Sequence, residues 1–200
     1  MANKFALVFG GCGALGKAVV QRLGKDGYKA ISIDLLNNTD AHNNILIRPS
    51  WSMHEQSSVI GDGLRDILGK SKVSNVFCSA GGWKGGSIRD SDFLQSFAEN
   101  NTVNLEPALL ASYFGVQYLD KNGLLVLTGA AAALAPQPNM LAYGMCKATT
   151  HYMIQSIAQD EELGESKKNV TAVAVLPEVI DTVANRFSMP NADTSTWCKV

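Results

Sequence analysis

Residues 5–16 read FALVFGGCGALG, five apolar residues followed by glycines at 10, 11, 13 and 16. The run Phe5 to Phe9 is too short for a buried helix and carries no polar alternation, so it predicts a strand covered on both faces. Glycines directly after a strand permit a tight turn. The segment they open, Leu15 to Gly24, has the spacing of a helix. Strand, glycine turn and helix make the first half of a βαβ unit.

The same alternation continues along the chain. Further short apolar runs predict strands at Lys29 to Asp34, Ile45 to Ile47, Val73 to Ser79, Gly123 to Thr128 and Val170 to Leu176. Helices are expected at Met53 to Leu68, at Asp90 to Leu119 with Pro107 as a break, and at Met140 to Leu163. The fold class that follows is α/β, a Rossmann-like, doubly wound parallel sheet of about six strands with helices on both faces. A chain of 200 residues suits a single domain, 1–200.

Composition narrows the partners. The 46% hydrophobic and 18% charged content describes a globular chain, and a net charge of -1 gives no footprint for nucleic acid or an anionic membrane. The first apolar run is too short for a signal peptide or a membrane span, so a cytoplasmic location is expected. Cys12, Cys78, Cys146 and Cys198 lie far apart without CxxC spacing and read as reduced, mostly packed thiols. His42, His54 and His151 show no ligand spacing, and no metal site is expected.

The glycine turn has a chemical reading beside the structural one. Gly11-x-Gly13-x-x-Gly16 after a strand and before a helix lets backbone N–H groups approach a pyrophosphate at the helix N-terminus. Asp34 ends the second strand 18 residues beyond Gly16, where a carboxylate accepts hydrogen bonds from adenosine ribose hydroxyls. A carboxylate there repels a 2'-phosphate, and the following LLNNTDAHNN offers no lysine or arginine, so NADH is favoured over NADPH, which exposed histidine and asparagine still tolerate. Small residues Ala80 and Gly81, ending the fourth strand, let the chain pass close beneath the cofactor. Gly10, Gly11, Gly13, Ala14, Leu15, Gly16, Asp34, Ala80 and Gly81 are the cofactor-binding candidates so far.

Tyr143 and Lys147 stand four apart at the start of a predicted helix, on one face. An ammonium beside a phenol favours the phenolate and is expected to draw the Tyr143 pKa down toward neutrality, making a proton donor near pH 7. Lys147 also has the reach to bond a nicotinamide ribose. Outside this setting the pair reads as ordinary helix surface. A serine or threonine often stands thirteen residues before such a tyrosine; here the position is Ala130, in a run of four alanines.

Gly10 to Gly16, Asp34, Ser79-Ala80-Gly81, Val103-Asn104-Leu105, Tyr143-x-x-x-Lys147 and Leu176-Pro177 with Thr182 together resemble the short-chain dehydrogenase/reductases. One branch of that family lacks the serine, the quinonoid dihydropteridine reductases, and the blocks FGGCGALG, AGGWKGG, GLLVLTGA, PNMLAYGMCKA and AVLPEVIDTVANRFSMPNAD are similar to it along nearly the whole chain. The resemblance implies hydride transfer from NADH to quinonoid dihydropterin, with Tyr143 as proton donor and Lys147 as its activator and a cofactor ligand. Trp83 is implied to stack on or wall the pterin; its other reading is a partly buried loop anchor. Flanking Gly82, Gly85 and Gly86 are consistent with a mobile loop. Pro177 and Thr182 are implied to meet the nicotinamide end, and Thr182 also reads as a helix cap. Asn104 is a relay candidate in the family and stays outside the catalytic set. His151 reads as a packed or interface residue.

The family further implies a homodimer through the two long helices. It also implies one more helix and a last sheet strand beyond the final TSTWCKV, so an uncovered apolar edge is expected at Val170 to Leu176. Two other readings stand beside the pterin reductase: a broader quinone or carbonyl reductase, and a shortened, silent isoform that binds NAD or dimerises.

Overall fold

The structure is a computed structural model and describes residues 4–161, 163 and 169–200. Six parallel strands make the main sheet: β1 (Lys4–Phe9), β2 (Tyr28–Asp34), β3 (Asn43–Leu46), β4 (Val73–Cys78), β5 (Leu119–Thr128) and β6 (Thr171–Val175). Their spatial order is β3-β2-β1-β4-β5-β6. The winding reverses between β1 and β4, so the loops leaving those two strands diverge and open a crevice. This is the doubly wound sheet that the alternation of elements predicts.

The helices are α1 (Ala14–Lys25), α2 (Met53–Leu68), α3 (Phe93–Asn100), α4 (Glu106–Tyr118), α5 (Leu141–Ala158) and α6 (Val183–Ser188). The two-residue period of β1 sorts them between the faces of the sheet. Phe5, Leu7 and Phe9 join Ile60 and Leu64 of α2, Ala111 and Phe114 of α4, and Ile154 of α5 in the larger core. Ala6 and Val8 join Val20 and Leu23 of α1 in the smaller one. Each buried Leu, Ile or Phe contributes about 1.5–3 kcal/mol, which is why β1 is apolar at every inner position.

Cover on the α1 face thins across the sheet. Val8, Phe77, Val126 and Val173 are register neighbours on that face. Val8 is fully buried, Phe77 and Val126 are half-buried, and Val173 on the edge strand is 40% exposed. The apolar edge expected at the last strand is therefore present.

α2 begins where its sequence says it should. Ser52 Oγ accepts the Glu55 N–H at 3.3 Å, and the Glu55 carboxylate accepts the Ser52 N–H at 2.7 Å, a reciprocal cap. Ser52→Ala is expected to lower stability by about 1 kcal/mol, read as an earlier urea midpoint at unchanged slope.

Three expectations need correction, and one strand pair was not expected. Pro107 does not break the long helix: the chain stays helical, passing from α3 to α4 through a π turn at Asn101–Leu105 with Pro107 in the first turn of α4. The wide turn accommodates a proline that lacks an N–H and whose ring would crowd the Val103 carbonyl. β5 starts at Leu119 rather than Gly123, because Leu119 pairs with Val73 before residues 120–123 bulge out, with Asn122 at φ 60°. After β6 the chain forms a separate parallel pair, β7 (Ile180–Asp181) with β8 (Cys198–Lys199). α5 closes at Ala158, where Gln159 N–H bonds Gln155 O; position 162 of the expected helix lies outside the described residues. Among the described residues no helix is long and apolar enough to cross a membrane.

Candidate active site

The crevice between β1 and β4 is built from positions where a side chain does not fit. A Cβ at Gly10, whose φ is +79°, would fall on the Ala80 backbone, and one at Gly16 would fall on the Gly10 carbonyl oxygen. The turn closes with Gly10 N–H on Ile33 O at 2.9 Å and Gly13 N–H on Gly10 O at 3.2 Å. Gly13 is the N-cap of α1 and supplies no side-chain cap, so the N–H groups of Ala14, Leu15 and Gly16 keep no helical partner and point out of the helix. A Cβ at Gly13 would lie 3.5 Å from the nearest atom, so its outer side is open. These donors on bare backbone fit a dinucleotide pyrophosphate.

Asp34 stands at the tip of β2 and accepts the Cys12 N–H at 2.7 Å and the Leu35 N–H at 2.6 Å. Its carboxylate therefore holds the glycine turn against β2, and its remaining lone pairs are free for ribose hydroxyls. The sequence gives no sign of Asn38. Expected among exposed asparagines, it is only 4% exposed and donates to Gly11 O at 2.7 Å. Asn44 holds Asn38 in turn, accepting its N–H at 2.8 Å and donating to its carbonyl at 3.0 Å.

Contacts run without a gap from the glycine turn to the tyrosine. Ala80 N–H bonds Phe9 O at 3.1 Å. At the next residue, Gly81, a Cβ would lie 3.0 Å from Asn104 Oδ1 and 3.4 Å from Lys147 Nζ. Lys147 Nζ donates to Thr128 O at 2.9 Å and sits 5.9 Å from the Tyr143 ring centroid. Asn104, in the π turn, is buried and accepts the Gly82 N–H at 3.2 Å. The structure thus brings Gly81, Asn104, Tyr143 and Lys147 to the mouth of the crevice.

Electrostatics reverses one expectation. The Tyr143 phenol is pushed above its ordinary pKa by burial, not drawn down by Lys147. The ammonium lies 5.9 Å from the ring centroid and is bonded to the Thr128 carbonyl. Burial lowers the Lys147 pKa, opposed by the neighbouring Cys78 and Cys146 thiols, and Cys78 itself is pushed up to about 11 by burial.

Ala130 lies at the exit of β5, only 4% exposed, so its methyl group seals the place where a hydroxyl would stand. Trp83 stands on the rim, 58% exposed. Its indole N–H donates to Met140 Sδ at 3.1 Å. The surrounding loop is stitched to the start of α5 by Gly86 N–H on Asn139 O at 2.8 Å and Leu141 N–H on Gly86 O at 3.1 Å. Pro177 O accepts the Ala131 N–H at 3.1 Å, and Thr182 Oγ1 caps α6 through the Asn185 N–H at 3.1 Å. The cap reading of Thr182 is thus present. A two-pronged Arg186–Asp181 pair, at 2.6 and 2.8 Å, ties α6 to β7 and has no motif in the sequence.

Comparison with known proteins agrees with this architecture. A family model described as short chain dehydrogenase matches residues 4–192. A dihydropteridine reductase from Dictyostelium discoideum is 38% identical over 196 residues, 98% of this chain and 82% of that protein. Two solved structures share the fold. A short chain dehydrogenase from Salmonella enterica serovar Typhi has a TM-score of 0.80 at 17% identity, with 98% of this chain and 85% of that one covered. Ligand-free aldohexose dehydrogenase from Thermoplasma acidophilum has a TM-score of 0.78 at 21% identity, covering 96% and 74%. The chain belongs to the short-chain dehydrogenase family, oxidoreductases that work with a nicotinamide cofactor, NAD(H) or NADP(H).

Proposed function

We propose that this chain reduces quinonoid dihydropterin to the tetrahydropterin with NADH, as a homodimer. The observation that carries the reading is Ala130, buried beside a lone Tyr143–Lys147 pair in a chain 38% identical to a dihydropteridine reductase. A quinonoid dihydropterin is an electron-poor, cross-conjugated ring that gains stability on reduction, so it needs one acid and no second hydroxyl to polarise a carbonyl. The cofactor, when bound, supplies a hydride. Tyr143 gives the proton from its hydroxyl and regains one from solvent. Lys147 steadies the phenolate left behind and reaches the cofactor ribose. Gly10, Gly11, Gly13, Ala14, Leu15 and Gly16 hold the pyrophosphate, Asp34 takes the adenosine ribose hydroxyls, and Ala80, Gly81, Pro177 and Thr182 border the nicotinamide end. Trp83 walls the flat pterin ring from the rim.

The test is NADH oxidation while a tetrahydropterin is oxidised in situ, run beside a panel of quinones and simple carbonyls. Preference for the pterin supports the reading; equal or greater turnover of the panel substrates overturns it. Asp34→Ala is expected to shift kcat/KM toward NADPH by about tenfold, because the charge that repels a 2'-phosphate is gone. An unchanged ratio would remove Asp34 from cofactor choice.

A further inference from the structure

Tyr143, Lys147 and His151 stand at i, i+4 and i+8 on α5, one column along the helix. The lower two members grip the exit of β5 at neighbouring points. Lys147 Nζ donates to Thr128 O at 2.9 Å, and His151 Nε2 accepts the Ala130 N–H at 3.2 Å. The residues on either side of Ala130 bond the other way, toward β6 and its exit: Gly129 N–H to Val175 O at 2.9 Å and Ala131 N–H to Pro177 O at 3.1 Å. The Ala130 N–H alone turns toward α5, in a buried place, where losing its acceptor leaves a donor unpaired. The imidazole also dictates its neighbour, since a Cβ at Gly129 would fall on Nε2.

We propose that His151 is a positioning residue: its Nε2 holds the Ala130 backbone and so fixes the pocket wall at the point where this family usually presents a hydroxyl. The kinetic part of this rests on the reductase reading above; the structural part does not. To accept the Ala130 N–H the ring must be neutral with its proton on Nδ1. A second proton would set donor against donor and place a cation beside Lys147. Burial and the Lys147 charge both hold the His151 pKa below its ordinary 6.5, which keeps the acceptor form at neutral pH. The exits of β5 and β6 face it with Gly129, Ala130 and Leu176, none of which titrates.

The test compares His151→Leu, which removes the acceptor, with His151→Gln, whose amide oxygen replaces it. Two quantities are read on the whole chain: the hydrogen-exchange protection factor of the Ala130 amide, and kcat against KM for NADH. His151→Leu is expected to lose about tenfold in both protection and kcat, with KM for NADH nearly unchanged, and His151→Gln to restore both. In the wild type, Ala130 protection should fall below pH 6.5 as the ring protonates, and in His151→Gln that acid limb should vanish. Full kcat in His151→Leu, a persisting acid limb in His151→Gln, or equal loss in both variants overturns the proposal. If the leucine variant does not fold, the glutamine variant and the wild-type pH series decide. Normal Ala130 protection in a wild type that turns over no pterin sinks the substrate reading and leaves this one standing.

Discussion

Tyr143→Phe is expected to cut kcat by about 10²–10⁴-fold, the usual worth of a positioned general acid, with NADH affinity nearly intact. The substitution keeps the ring that fills this half-buried position and that lies 5.9 Å from Lys147 Nζ, and removes the hydroxyl alone. Nothing in the glycine turn touches that oxygen, so cofactor binding has no reason to change. Ala130 makes the loss deeper than in a site with two hydroxyls, because its methyl group has no proton to hand over instead. The sign of the Tyr143 shift gives a second readout. Burial favours the neutral phenol, so in the free enzyme the donor form persists up to at least its ordinary pKa of 10. The profile of kcat/KM, which reports free-enzyme groups, should then show no alkaline limb from Tyr143 below that value. A phenylalanine variant that turns over normally would mean the proton comes from water and the reading of Tyr143 is wrong.

Gly16→Ala is expected to destabilise the fold by about 1–3 kcal/mol and to weaken NADH binding by more than about tenfold. Helix propensity argues the other way, since alanine is better than glycine inside a helix by about 1 kcal/mol. The clash outweighs it: the new methyl would overlap the Gly10 carbonyl oxygen and come within 2.6 Å of Ser79 Oγ. Relief requires the 10–13 turn to move, and that turn carries the donors for the pyrophosphate. Thermal melting and a fluorescence titration with NADH measure the two effects separately. Gly24→Ala is the control, because a Cβ there meets nothing within 4 Å, and it should be neutral or mildly stabilising. If both variants behave alike, close packing at Gly16 is not what the glycine is for.

What could be read from the sequence was local. The strand ends at Phe9 and Asp34 and both ends of α2 were legible because apolar runs and glycines punctuate them within a few residues. The GxGxxG turn and Asp34 were legible for the same reason, and the structure joins them through the Cys12 N–H. The misses depend on partners far along the chain. Asn38 looks like any loop asparagine until Gly11 is brought to it, and the bond that packed His151 accepts from the Ala130 N–H has no sign in the sequence. The direction of the Tyr143 shift failed likewise: helical spacing puts a lysine near a tyrosine, but only the exit of β5 decides which way the ammonium points. Pro107 misled because a proline signals strain in a regular helix, and the chain had already relieved it one turn earlier.

That relief has its own consequence. A π turn amounts to one surplus residue in a helix, and excising one residue from 101–105 would let α3 and α4 fuse in regular geometry. Excision removes only what the wide turn absorbs and leaves the flanking turns nearly in phase, whereas one more residue added in regular geometry would swing everything upstream by about 100°. With that addition Ser96 and Asn100, which grip the Gly85 and Lys84 carbonyls at 3.2 Å each, would swing away from them. The indole's platform would then come adrift while every residue of the glycine turn stayed in place, uncoupling the two halves of the crevice with a single codon.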